Sequence, residues 1–289
     1  MLRKRIKRFA LALSILLLAF MATSWFMAGA LVAPSNCEVT IPQTEMPIEA
    51  FSLDSDSGSN LAGWVLKNGN SNRVVILLHP LRGDRRSMLE RAKLLYESGF
   101  SVVLIDFQAH GESSGESITF GHLEKHDVTA TVAYAKGMFP DCQIAVIGWS
   151  LGGASALLAS PLRVDALILE SVYPTISDAV YDRVDMQLGA GKYLAAPLLL
   201  WQLPIRLGIS TDDLMPIEQV DRIDCPLMLL AGDRDLHTPL RESQTIFDAA
   251  SEPKEFVVFE GATHEDLQRF DSLLYRERVI GFLQNHLRR

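Results

Sequence analysis

Three residue types that together can activate a hydroxyl nucleophile follow three different apolar segments of this sequence. Ser150 comes directly after IAVIGW, Asp233 and Asp235 follow PLMLLAG, and His264 is separated from EFVVFEG by two residues. A serine hydroxyl is a weak nucleophile unless an imidazole accepts its proton, and a carboxylate can orient that imidazole. The chain therefore supplies a candidate nucleophile, acid and base in the order Ser, Asp, His.

Two glycines surround Ser150 at a predicted change from strand to helix. The segment 143–149 predicts a short buried strand, and the small residues of 151–159 predict the helix packed behind it. Side chains two positions before and after the serine would collide with the neighbouring strand and helix, which suits Gly148 and Gly152 to these places. We expect a sharp turn, a nucleophile elbow, that projects the Ser150 hydroxyl from the sheet edge.

Apolar segments alternate with helical patterns along most of the chain. We predict strands at 73–79, 101–106, 144–149, 165–170, 226–232 and 255–261, and helices near 84–98, 120–138, 151–159, 239–250 and 265–287. This alternation indicates an α/β fold, a mostly parallel sheet flanked by helices on both faces. Ahead of it, PIEAFSLD and LAGWVLK flank the turn-rich SDSGSN and predict an antiparallel hairpin. Because functional groups gather beyond the carboxyl ends of parallel strands, the predicted nucleophile, acid and base share one edge.

One connection is much longer than the others. More than 50 residues separate the sixth predicted strand, DALILE, from the seventh, PLMLLAG, and they include the apolar helical pattern YLAAPLLLWQLPIRLG. Structureless loops of that length are uncommon inside compact domains. We therefore predict a helical cap at about 171–222, inserted after the sixth strand.

The N-terminal segment has the composition of a membrane-spanning helix. Five Lys or Arg residues lie within 3–8, and residues 9–33 are uncharged over 25 positions. About 20 apolar helical residues cross a bilayer. We predict a single-pass anchor at 1–33, with a cytoplasmic N-terminus and an extracytoplasmic body, then a linker at 34–46. The alternative is secretion after cleavage of a signal peptide, for which Ala28-Gly29-Ala30 is a candidate site.

Charge and cysteine content exclude some classes of function. The formal net charge is −8, and the chain beyond the five N-terminal cations carries −13, which argues against a nucleic-acid partner. Cys37, Cys142 and Cys225 are an odd number without metal-ligand spacing, so they predict neither a disulfide framework nor a zinc site.

Over about residues 47–287, the sequence resembles the serine hydrolases of the alpha/beta-hydrolase fold. Gly148-Trp149-Ser150-Leu151-Gly152 matches the family's elbow, LLHPLRGD is similar to its His-Gly oxyanion loop, and DFQAHGESSG to its Asp-x-x-Gly-His-Gly-x-Ser segment. AGDRDLHTP and GATHEDL are similar to its acid and histidine loops. The resemblance is strongest to bacterial membrane-anchored hydrolases, often labelled esterase- or lysophospholipase-like, and implies a hydrolase domain at 47–289.

The resemblance assigns roles to the candidate residues. It implies Ser150 as nucleophile, His264 as base and Asp235 as acid in preference to Asp233, which we expect to stabilise the loop. Pro80 stands where the family has glycine and has no N–H, so the expected oxyanion donors are the backbone N–H groups of Leu81 and Leu151. Ala109 also stands where the family often has glycine. His79, His110 and His237 are interpreted as loop-anchoring or exposed histidines.

These expectations together predict hydrolysis of a carboxylic ester or thioester through an acyl-enzyme. The apolar cap and the anchor favour a small-molecule or lipid-like substrate with a hydrophobic acyl portion. The membrane itself is an expected partner, bound through residues 9–33. No cofactor, metal or particular protein partner is implied. Two alternatives stay open, a serine peptidase on the same scaffold and a non-catalytic binding protein. Since all candidate residues follow the linker, residues 1–36 are expected to be dispensable for activity.

Overall fold

An eight-stranded β-sheet runs through the protein, whose computed structural model describes residues 2–43, 46–69 and 71–287. The described strands are β1 Ser35–Asn36, β2 Ile48–Asp54, β3 Asn60–Leu66, β4 Arg73–Leu78, β5 Ser101–Ile105, β6 His110–Gly111, β7 Gln143–Trp149, β8 Ala166–Glu170, β9 Leu227–Gly232 and β10 Lys254–Phe259. The sheet has the order β10-β9-β8-β7-β4-β5-β3-β2, and the short β1 and β6 pair separately.

Strand directions agree with the sequence prediction. β2 and β3 form the antiparallel hairpin, β3 is antiparallel to β5, and the strands from β5 through β4, β7, β8 and β9 to β10 are parallel. The six apolar segments predicted as strands all lie in this sheet, with ends shifted by at most two residues. The predicted mostly parallel sheet is therefore confirmed.

Helices cover both faces of the sheet. All the described helices, including those that do not contact the sheet, are α1 Leu2–Val32, α2 Leu89–Glu97, α3 Glu124–Met138, α4 Leu151–Leu158, α5 Ile176–Leu188, α6 Lys192–Leu200, α7 Leu203–Leu207, α8 Leu240–Ala249, α9 Leu267–Phe270, α10 Ser272–Tyr275 and α11 Gly281–His286. Short 3₁₀ segments lie at Arg85–Met88, Gly189–Gly191, Asp212–Leu214 and Pro216–Arg222, and a π-helical segment spans Arg276–Ile280.

The C-terminal region differs from the single helix predicted at 265–287. Asp271 has φ −138°, outside the helical region, and its side chain accepts hydrogen bonds from the N–H groups of Leu273 and Leu274. An aspartate in this position caps the start of a new helix. The prediction missed the break because the apolar pattern continues through it.

Alternate side chains of the central strands fill two separate apolar clusters. In β4, Val75 and Leu77 belong to one cluster and Val74 and Ile76 to the other, and every residue of the strand is buried. The first cluster includes side chains of α2 and the C-terminal helices, and the second those of α3, α4 and α8. Burial on both faces explains why these strands are continuously apolar in sequence.

The long connection between β8 and β9 is helical, as predicted. It contains α5, α6, α7 and two 3₁₀ segments that follow them. These elements have an apolar cluster of their own, in which Ile176, Leu203, Ile209 and Leu214 are buried. The predicted helical cap is therefore present.

Helix α1 is long and apolar enough to cross a membrane. The candidate span is Arg3–Val32, with mean hydropathy 2.1, and very little of it is buried by the rest of the protein. The chain after it is not a free tether. Ser35 and Asn36 pair with His110 and Gly111, and Val39 is buried in the core, so this part of the predicted linker packs on the domain that contains the sheet. Residues 44–45 of the linker lie outside the described residues.

The turn between β7 and α4 has the geometry that the glycine spacing predicted. Ser150 has φ 51° and ψ −110°. A Cβ atom at Gly148 would lie 2.5 Å from the backbone nitrogen of Gly153, and one at Gly152 would lie 2.3 Å from the carbonyl oxygen of Leu78 in β4. Both glycines therefore allow strand and helix backbones to approach directly at the serine.

The replacement Gly152→Ala should destabilise the protein by about 2 kcal/mol or more, because its methyl group would have to displace backbone atoms. Gly137→Ala is the matched control, since a Cβ there meets nothing within 4 Å and alanine favours the interior of α3. Chemical unfolding of the full chain in detergent micelles measures both. An equal or smaller loss in the Gly152 variant would contradict the close approach.

Candidate active site

Loops after β9 and β10 bring Asp235 and His264 together. Nδ1 of His264 lies 2.7 Å from Oδ2 of Asp235. The loops cross closely, since the N–H of Arg234 donates to the carbonyl of Ala262 at 2.9 Å and a Cβ at Gly232 would lie 2.4 Å from the same oxygen. The carboxylate is buried and the imidazole is mostly so. This pair can hold the His264 ring with Nε2 free for proton transfer.

Asp235 is surrounded by hydrogen-bond donors. Its Oδ1 accepts from the backbone N–H groups of His237 and Thr238 at 2.7 and 2.9 Å, and its Oδ2 accepts from the Thr238 hydroxyl at 2.7 Å. Burial by itself raises the pKa of Asp235. The hydrogen bond from His264, the electrostatic attraction of the His264 ring and the hydrogen bonds from Thr238 together outweigh burial, so the pKa of Asp235 lies below its ordinary value. The acid is therefore ionised at neutral pH. Sequence reasoning did not identify Thr238.

Asp233 has a different position. Its Oδ1 accepts a 2.6 Å hydrogen bond from the N–H of Gly261, which links the loops that follow β9 and β10. Among the described residues, Asp233 makes no hydrogen bond with His264.

The His237 ring stacks on the His264 ring, with centroids 4.8 Å apart, and burial lowers the pKa of His237. A neutral His237 can cover one face of the base without repelling it.

Ser150 lies at the elbow with 2% of its surface exposed. Its N–H donates to the carbonyl of Glu170 at 2.8 Å, which fixes the turn to β8. Within the described part of the chain, its hydroxyl forms no hydrogen bond with His264. Such contacts are often long in unliganded enzymes and shorten when substrate binds.

The loop after β4 positions the expected oxyanion donor of Leu81. The carbonyl of Pro80 accepts from Nδ1 of His79 at 2.8 Å and from the N–H of Gly83 at 3.0 Å. Because the carbonyl and N–H of a trans peptide point in opposite directions, holding the Pro80 carbonyl also directs the Leu81 N–H. Nε2 of His79 accepts from the N–H of Phe107, and burial lowers the pKa of His79 to about 3, so its neutral ring anchors the loop.

A buried carboxylate ties this loop to the segment after β5. Asp106 accepts from the N–H of Arg85 at 2.7 Å and from that of Glu112 at 2.9 Å, and it forms an ion pair with the Arg85 guanidinium. Ala109 lies in the same segment with φ 57°, in the left-handed region that glycine adopts most easily, which agrees with the glycine expected there from the family resemblance. Asp106 was part of the DFQAHGESSG segment, but sequence reasoning gave it no role.

A second buried network lies behind the elbow. Arg91 forms a 2.6 Å ion pair with Glu170 and a 3.0 Å pair with Asp266, and the Tyr275 hydroxyl donates to Glu170. Glu170 holds the N–H of Ser150, and Asp266 lies two residues after His264. The network therefore connects the nucleophile turn to the histidine loop. Its only sequence signal was a charged residue at the end of a buried strand.

Ser150 lines an apolar pocket together with both expected oxyanion residues. The lining residues are Ala28, Leu31, Val32, Leu81, Phe120, Ser150, Leu151, Tyr173, Ile176, Ala179, Val180, Arg183, Leu199, Leu200, Gln202, Leu203 and Arg206. Most come from the cap, and three come from α1. Since α1 forms part of the wall, the expectation that residues 1–36 are a dispensable tether does not fit the structure. The described residues include no group of three His, Cys, Asp or Glu side chains that could hold a metal ion.

The family model described as "Alpha/beta hydrolase family" matches residues 75–274. The chain belongs to the alpha/beta hydrolase family. This confirms the resemblance seen in the elbow, the oxyanion loop and the histidine loop. The match includes the cap and all five candidate site residues, but it assigns no role to any of them.

The chain is also similar to individual proteins. An esterase from Pyrococcus furiosus has a similar structure, with TM-score 0.74, 23% identity and coverage of 89% of this chain and 99% of the esterase. The uncharacterized protein YqkD of Bacillus subtilis is 22% identical over 83% of this chain and 81% of its own length. An uncharacterized membrane protein of Saccharomyces cerevisiae is 28% identical over 55% of this chain and 60% of its own length. Because the esterase is only 23% identical to this chain, its structural similarity establishes the shared fold and not a shared activity.

The alpha/beta hydrolase offers a direct comparison of its two acid-loop aspartates. Asp235→Asn should lower turnover of a short-chain aryl ester on the order of a thousandfold or more, because an amide no longer holds the His264 tautomer and charge. Asp233→Asn should leave turnover nearly unchanged, since its amide oxygen can still accept from Gly261. Steady-state kinetics of both variants on one substrate decide the assignment, and the opposite ranking would move the acid role to Asp233.

Proposed function

We propose that this alpha/beta hydrolase cleaves a carboxylic ester or thioester with a hydrophobic acyl portion through an acyl-enzyme on Ser150. The observation that carries the proposal is the 2.7 Å hydrogen bond between Asp235 and His264 at the sheet edge where Ser150 occupies its elbow. A serine in a sharp turn, taken alone, is also explained by the geometry of the turn and is not evidence of catalysis. An oriented imidazole with an ionised partner at the same edge supplies the base that the serine needs.

The mechanism follows from the groups at the site. His264 Nε2 accepts the Ser150 hydroxyl proton as the oxygen attacks the acyl carbon, and Asp235 stabilises the resulting imidazolium. The N–H groups of Leu81 and Leu151 donate to the oxyanion. His264 then protonates the leaving alcohol or thiol, and a water molecule, activated by the same imidazole, releases the acid and regenerates Ser150.

The pocket favours an acyl group over a peptide. A peptide presents amide groups that need hydrogen-bond partners when they are buried. The polar lining side chains already have partners within the protein: Arg183 donates to the Ala179 carbonyl, and Gln202 donates to the Ser24 hydroxyl and the Leu198 carbonyl. The remaining wall is mainly aliphatic, which suits a hydrocarbon chain. The esterase among the structural relatives is consistent with this choice.

For the cellular arrangement we propose a single-pass anchor at 1–33 and a hydrolase domain at 47–289 with its cap at about 171–222. Five cations before the apolar helix favour a cytoplasmic N-terminus and an extracytoplasmic hydrolase. Contacts from α1 to the body support retention of the helix over cleavage. The buried hydrogen bond between Gln202 and Ser24, for example, would be lost if the segment were removed.

Ser150→Ala should lower hydrolysis of a short-chain aryl ester on the order of a thousandfold or more while leaving the unfolding midpoint nearly unchanged, because it removes the nucleophile alone. Ser155→Ala is the matched control, since this buried hydroxyl in α4 donates to the carbonyl of Leu151 in its own helix. The control should keep most of its activity. A well-folded Ser150 variant with substantial turnover would refute the acyl-enzyme.

A further inference from the structure

The last turns of α1 form part of the wall of the Ser150 pocket. Ala28, Leu31 and Val32 line it together with residues contributed by the cap. Ala28 is buried, although nearly all of the apolar helix before it is exposed. A helix that served only as a tether would have no reason to contribute to this wall.

Polar contacts fix this end of α1 to the cap. Gln202 Nε2 donates to the Ser24 hydroxyl at 3.0 Å in a buried position. The Arg206 guanidinium lies over the Trp25 ring, 4.0 Å from its centroid, and donates to the Trp25 carbonyl. From the loop after β4, Arg82 donates to the carbonyl of Leu31 at 3.3 Å. The helix and the cap are therefore held in one defined arrangement.

The length of α1 places the cap at the membrane surface. The last N-terminal cation is Arg8, so the uncharged part of the helix begins at residue 9. A span of about 20 residues from there reaches the far edge of the hydrocarbon core near residue 28. The contacts at Ser24 and Trp25 lie before that point. The cap residues that make them, Gln202 and Arg206, must then lie at the boundary between acyl chains and headgroups.

The cap carries exposed apolar side chains that suit such a position. Leu188, Tyr193, Leu194, Trp201 and Ile205, here called the cap apolar face, are each more than half exposed. They belong to the same α5–α7 region that packs against α1. Large apolar surfaces on soluble monomers are uncommon, and Trp and Tyr are enriched where proteins meet the membrane interface.

We propose that α1 and the cap apolar face form one membrane-embedded surface, and that the substrate is a lipid ester whose acyl chain enters the Ser150 pocket directly from the bilayer. The substrate class rests on the function proposed above. Hydrolysis breaks the bond between the acyl carbon and the ester oxygen, joins that carbon to Ser150 and then to water, and yields a fatty acid and the lipid alcohol. The chain beyond the five N-terminal cations is acidic and has no excess of positive charge to bind anionic lipid headgroups. Insertion of apolar side chains therefore provides the contact with the membrane.

The test uses the full chain reconstituted in phosphatidylcholine vesicles and two substrates, a water-soluble aryl acetate and a long-chain monoacylglycerol embedded in the vesicles. The double variant Leu194→Ser and Ile205→Ser changes the cap apolar face without touching the pocket lining. Leu273→Ser, at an even more exposed leucine of α10 outside the cap, is the control. The double variant should lose at least about tenfold on the embedded ester and keep its acetate turnover, because less apolar area enters the bilayer. The control should keep both.

A second measurement reports membrane contact without activity. Tryptophan fluorescence is quenched by lipids brominated along the acyl chain, and the part of the quenching lost in Trp201→Phe belongs to Trp201. We expect that part to be large. If the brominated lipids do not quench Trp201, the proposed membrane surface is refuted. It is also refuted if Trp201 crosslinks to a second copy of the protein that shields it from lipid.

The kinetic outcomes separate the two proposals. Wild-type turnover of the acetate but not of the embedded ester, or equal loss of both in the double variant, would overturn the lipid substrate. Absence of both activities would refute the proposed function, and the quenching result would then decide the membrane surface by itself.

Discussion

Ser150 holds a backbone conformation, φ 51° and ψ −110°, that an L-residue adopts only where its surroundings impose it. The direct approach of α4 to β4, permitted by Gly152, supplies one part of that constraint, and the hydrogen bond from the Ser150 N–H to Glu170 supplies another. Glu170 is itself held by Arg91 and Tyr275 in a buried network. The strained turn is thus maintained by contacts that span several elements, and the pocket and the histidine loop are arranged around it.

The same buried network connects two loops of the candidate active site. Arg91 also pairs with Asp266, close to His264 in the chain, so the nucleophile and base loops share one buried cation. Removing Arg91 would leave the buried Glu170 carboxylate without its cation, which is far more costly than losing an exposed ion pair. A second set of buried contacts, from Asp106 and His79, holds the loop that carries the Leu81 N–H. Buried polar groups, which sequence patterns do not reveal, therefore set the positions of the groups proposed to react.

Local features of the site were predictable from the sequence because they are encoded within a few residues. The glycine spacing about Ser150 and the continuously apolar strands are of this kind. The grouping of Asp235 and His264 at one edge followed from the parallel order of the strands, and the choice of Asp235 over Asp233 came from family resemblance. The break in the C-terminal helix at Asp271 was missed, because a capping aspartate inside an apolar pattern leaves the pattern intact.

Contacts between distant segments could not be predicted in this way. Ser24 and Gln202 are 178 positions apart, and neither has a neighbouring pattern that indicates the other. The sequence predicted an anchor and a cap as separate features. Only the packing of α1 against the cap shows that this helix forms a wall of the pocket and is therefore a part of the candidate active site.

The central claim is that Ser150 is the nucleophile activated by His264 and Asp235. It is tested most directly by treating the full-length protein, native and unfolded, with a fluorophosphonate and locating the adduct by peptide mass spectrometry. The account predicts one adduct, on the peptide that contains Ser150, formed by the folded protein and not by the unfolded chain. A folded protein that forms no adduct, or forms it on another residue, would contradict the claim.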